Sequence, residues 1–73
     1  MINDRLAEFI HLHESNQTSL LLPEDIDALR KNISAWVDES DKKELSSLLR
    51  CYPTAEAIES HLRALLNEAE KCV

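Results

Sequence analysis

Apolar residues along this chain recur at alternating steps of three and four, the signature of helices that each hide one face. The strongest pattern is the last. Ala55, Ile58, Leu62, Leu65, Ala69 and Cys72 line one side, Leu66 widens it, and Glu56, Glu59, Arg63, Glu68 and Glu70 lie off it. Thr54 after Pro53 predicts an N-cap, while Glu56 and Lys71 suit the two ends of the helix dipole. The spacing therefore predicts a helix from Thr54 towards Val73, and the upstream faces read as partners for it.

Taken in order, the first face is Leu6, Phe9, Ile10 and His13, with Ile2 a turn earlier and Asn3 or Asp4 as the expected cap. It dies in the polar run Ser15, Asn16, Gln17, Thr18 and Ser19, which reads as a loop. Leu20, Leu21 and Leu22 follow at once, either tucked under the bundle or part of a contact surface, with Leu22 placed to staple the next helix. Pro23, Glu24 and Asp25 make a favourable helix start. Ile26, Leu29, Ile33, Trp36 and Val37 form the second face; Arg30 and Lys31 are expected to pair with Asp27 and Glu24 respectively. A third helix is predicted after Ser40 or Asp41, where Asp41 and Glu44 resemble a capping box. Its inner face is Leu45, Leu48, Leu49 and Tyr52, and Lys42 and Lys43 sit badly against its N-terminal dipole. Helices two and three are open to running together through Ser40, whereas Pro53 forces a break.

The expected fold is all-α: a small bundle of three to four short amphipathic helices, a single domain over residues 1–73, open to completion by a second copy. At 73 residues a chain buries only about 60% of its unfolded surface, so a partner is a natural source of further burial. Glycine is absent, which excludes glycine-rich phosphate loops and leaves Asn16, Asn32 and Asn67 as candidates for any left-handed backbone position. The net charge of −6, from 14 acidic and 8 basic side chains, disfavours nucleic acid as a partner, because that affinity comes largely from Lys and Arg. No signal-peptide pattern and no apolar run of membrane-spanning length occur, so the expectation is a cytoplasmic protein with reduced thiols at Cys51 and Cys72 and no membrane contact.

Candidate chemistry is sparse. His11 and His13 point to different sides of a helix, and His61 falls near the edge of the last apolar face. No short-spaced ligand pair supports a metal, and no histidine and serine stand in a recognisable nucleophilic arrangement. No catalytic, cofactor or metal residue is assigned, and no enzymatic role is expected.

What remains is contact. Leu20, Leu21, Trp36, Leu62, Leu65 and Leu66 are the candidate interface residues, together more apolar surface than a lone small bundle easily covers. The expected function is a small acidic protein-binding module that occludes or stabilises another protein through an apolar helix face, of chaperone, immunity (antitoxin) or anti-activator type, with a homodimer also expected. The alternatives are a helix-turn-helix-like nucleic-acid-binding regulator formed by helices two and three, or a structural subunit of a larger assembly.

Overall fold

A computed structural model describes residues 2–50 and 53–71 of the chain, and its regular elements are all helical. They are α1 (Ile2–Glu14), a short 3₁₀ turn (Thr18–Leu20), α2 (Pro23–Glu39), α3 (Lys42–Leu48) and α4 (Ala55–Lys71). Tyr52, Cys51, Cys72 and Val73, which figured in the expectations above, lie outside the described residues.

α4 is the axis. α1 and α2 both pack along it, the 3₁₀ turn touches it, and α3 leans on α1. Ile58, Leu62 and Leu65 of α4 are fully buried and Ala69 nearly so, as the three-and-four spacing requires. They meet Leu6, Phe9 and Ile10 of α1 and Leu29, Ile33 and Val37 of α2 in one continuous core. Each helix supplies one stripe, and three stripes close on one another because a bundle hides what a lone amphipathic helix cannot.

The chain ends its helices with identifiable chemistry. The Thr54 hydroxyl accepts from the Ala57 amide at 3.1 Å, so Thr54 is the expected N-cap of α4. Pro23 opens α2 at a position where its missing N–H costs nothing. At the end of α1, Asn16 takes φ 56°, the single positive-φ residue among those described. The Gln17 amide then reaches the Leu12 carbonyl at 2.9 Å and the Asn16 amide the His13 carbonyl at 3.2 Å, a Schellman closure with asparagine where glycine is commonest.

The junction between α2 and α3 departs from expectation. The helices do not run together: Ser40 is extended, with ψ 145°. The Val37 carbonyl accepts from the Ser40 amide and hydroxyl and from the Lys42 ammonium, at 3.3, 2.7 and 3.2 Å. Lys42 thus points back to the negative end of α2 instead of opposing the dipole of α3. Asp41 caps α3, its carboxylate accepting from the Lys43 and Glu44 amides. The reciprocal half of the box is taken by a third residue. Asn3, inside α1 and not its cap, accepts the Asp41 amide at 2.9 Å and donates to Glu44 at 3.0 Å. An amide from one helix therefore completes the cap of another, at a side chain only 2% exposed.

Two smaller expectations also change. Lys31 pairs with Asp27 at 3.1 Å, not with Glu24, because four residues bring side chains together and seven do so less well. Leu48, expected on the inner face of α3, is 44% exposed.

Candidate functional site

The leucine triplet divides. Leu21 and Leu22 are extended, and in extended backbone successive side chains face opposite ways. Leu21 enters the core, whereas Leu20 and Leu22 are 63% and 54% exposed. Of three neighbouring leucines, Leu21 alone is inside.

The exposed leucines are not scattered. Leu20 and Leu22 line a shallow groove of about 450 Å³ with Arg5, Phe9, Glu24 and Asp25, among others. Leu48 lines a second, of about 410 Å³, with Ala7, His11 and Gln17. Glu8 and Leu12 border both, so the outer side of α1 forms a ridge with apolar residues on each flank. Charge on this surface is mainly acidic, although Arg50 lines an adjoining groove with His11, Glu14 and Ser15. Arg5 is engaged with Asp25 and lies over the Phe9 ring, 5.6 Å from its centre. Asp4, Glu8 and Glu24 form no ion pair among the described residues.

Of the six interface candidates, Leu62, Leu65 and Leu21 are covered by the chain's own helices and present no free face. The reason is that α4 is flanked on two sides, by α1 and α2, so its apolar stripe closes within one molecule. Trp36 is half-buried and stacks on Phe9, with ring centres 6.0 Å apart and planes inclined by 21°. Leu66 is likewise half-buried against the core. Leu20 alone of the six stands open. Leu22, Leu48 and Leu12 complete its surface and were legible only as members of helix or loop patterns, since grooves form between elements distant in sequence.

A second polar feature lies on the other flank of α1. His13 and His61 meet with their Nδ1 atoms 2.7 Å apart and their rings edge to face. Glu68 sits 4.0 Å from His13 Nε2 and accepts the Thr18 hydroxyl at 2.9 Å. Among the described residues, no group of three or more histidine, cysteine or acidic side chains could hold a metal ion. His11 is exposed and takes no part, as its position two residues from His13 predicts. Among the described residues no helix is long and apolar enough to cross a membrane.

Comparison with protein-family models, curated proteins and solved structures finds no match to this chain.

Proposed function

We propose that this protein is a binding module whose ridge and twin grooves on α1 seat a basic amphipathic helix of another protein. One observation carries the reading: Leu20, Leu22 and Leu48, the large apolar side chains left exposed among the described residues, gather around Leu12 beside Asp4, Glu8 and Glu24, which form no ion pair among those residues. An apolar strip of this kind favours the hydrophobic side of a helix, with contacts at three-and-four spacing. The free carboxylates favour lysine or arginine along its edges and speed encounter. The same acids would face one another across a pair of identical surfaces, so charge supports a basic partner over a second copy. Occlusion of such a helix is the mechanism shared by chaperones, immunity factors and anti-activators, and the proposal keeps the protein in a reducing cytoplasm and gives it no reaction to catalyse.

The helix-turn-helix alternative draws no support from the packing, since α3 has only seven residues and leans on α1. The test is an NMR titration with a leucine–lysine amphipathic peptide of about 18 residues, beside a leucine–glutamate peptide of equal length. The reading requires shifts concentrated at Leu12, Leu20, Leu22 and Leu48, weakening with salt, and absent with the acidic peptide. Shifts elsewhere, or none, refute it. Light scattering on the purified protein separately decides whether a second copy occupies the same surface.

A further inference from the structure

We propose that the groove bordered by Leu20 and Leu22 holds a guanidinium-binding site built by the Asp25 carboxylate and the Phe9 ring. Arg5 fills it in the free protein, and an arginine of the bound helix takes it over. The source of that arginine rests on the docking reading above; the chemistry of the site does not.

Arg5 makes the two contacts by which proteins recognise a guanidinium. Its Nη2 donates to Asp25 Oδ1 in the first turn of α2, and its planar head lies over Phe9, one turn further along α1. The ring is fixed in place, stacked on Trp36 of α2 and only 3% exposed. Asp25 is also set into the groove, with 18% of its side chain exposed, whereas Arg5 leaves 51% of its own in solvent. The receiving groups are thus inside and the cation outside.

Arg5 fills this site incompletely. An arginine fork and a carboxylate can share two parallel hydrogen bonds, and this pair makes one. A guanidinium arriving from the solvent side is free to align with both oxygens, whereas Arg5 is tethered one turn before the ring it covers. A half-exposed ion pair of this kind contributes little and exchanges readily. The groove also holds more negative charge than Arg5 offsets, since Glu8 and Glu24 line it and form no ion pair among the described residues.

Displaced Arg5 has a second partner at hand. Glu8 stands three residues along the same helix and is exposed beside it. Exchange therefore turns one pair into two, the incoming arginine with Asp25 and Arg5 with Glu8. Lysine fits the vacated place less well, because an ammonium is a compact, strongly hydrated charge with no plane to lay on the ring. The site selects arginine at one position of a helix whose other edge positions accept either cation.

The test begins with the full chain carrying Arg5→Ala, its helix content checked by circular dichroism. Arg5 is half-exposed on a helix, so alanine there leaves the fold intact. Ethylguanidinium then stands in for the missing head, with ethylammonium as the control. Saturable NMR shifts at the Phe9 ring and the Asp25 amide are expected with ethylguanidinium only, and should vanish when Asp25→Asn is added. The natural protein, its site filled by a tethered competitor, should respond about tenfold more weakly. No saturable response in Arg5→Ala, or an equal one to ethylammonium, overturns the site. An amphipathic leucine–arginine peptide is next compared with the leucine–lysine peptide. Arg5→Ala should raise affinity for the arginine peptide by about tenfold and for the lysine peptide by about twofold, the smaller gain being that of charge alone. Equal gains for the two overturn the exchange. If ethylguanidinium fills the site but neither peptide binds, the docking reading falls and the guanidinium site stands. If both peptides bind with unchanged preference and ethylguanidinium has no effect, the site falls and docking stands.

Discussion

Asn3→Ala should destabilise this protein by breaking the bridge between α1 and the α2–α3 junction. The side chain is nearly sealed, and each end of its amide has a partner on the α2–α3 junction. Losing the bond from the Asp41 amide removes about 1 kcal/mol net. The bond to Glu44 has a charged acceptor, worth about 1.5–3 kcal/mol when buried, but Glu44 is exposed and solvent reduces this to about 1. The expected loss is therefore about 2 kcal/mol, a large part of the stability of a domain this small. At about 4–8 °C per kcal/mol for such a chain, the midpoint of thermal unfolding should drop by about 8–16 °C. Asn3→Asp sharpens the test. It keeps the acceptor for Asp41 but sets a second carboxylate against Glu44, so at neutral pH it should be the worse variant and should recover partly when combined with Glu44→Gln. Urea unfolding followed by circular dichroism reads all four proteins. If Asn3→Ala lies within about 0.5 kcal/mol of the natural protein, or Asn3→Asp is no worse than Asn3→Ala, Asn3 is not the bridge described.

Other consequences are open to the same measurement. Leu62→Ala should destabilise by about 2–5 kcal/mol, since the residue is fully enclosed by three helices. Leu20→Glu with Leu22→Glu should leave stability within about 1 kcal/mol yet abolish shifts induced by the basic peptide, whereas a large loss of stability would place these leucines in the core. Asn16→Ala should cost about 1 kcal/mol against Asn16→Gly, because the left-handed backbone there penalises a β-carbon that lacks a compensating polar group; equal midpoints in thermal unfolding would deny the closure of α1 its role.

Much of the architecture was legible from residue order alone. Pro23, Asp41 and Thr54 announce helix starts through local chemistry, and all three act where they stand. The buried stripes of α1, α2 and α4 follow from periodicity for the same reason. What escaped was long in sequence. Asn3 reads as a cap because asparagine near a chain start usually is one, yet its partners lie about forty positions away. His13 and His61 each look like ordinary boundary residues until α1 and α4 are laid together. Leu62 and Leu65 looked available to a partner because a stripe shows which face is hidden and not what hides it. The contact surface suffered the same ambiguity: Leu20 was found, whereas Leu48 was assigned inward by a spacing that α3, which packs mainly on α1 among the described residues, does not fully use.

The two-way split of the leucine triplet has an evolutionary corollary. Leu21 and Leu22 are the extended pair before Pro23, so one is committed to the core and the other to the surface. Leu20 and Leu22, outside that core, are free to change in size or polarity without disturbing it. A lineage of such chains would therefore alter its outward face by substitution at these two positions while every helix, and the core they share, stayed as it was.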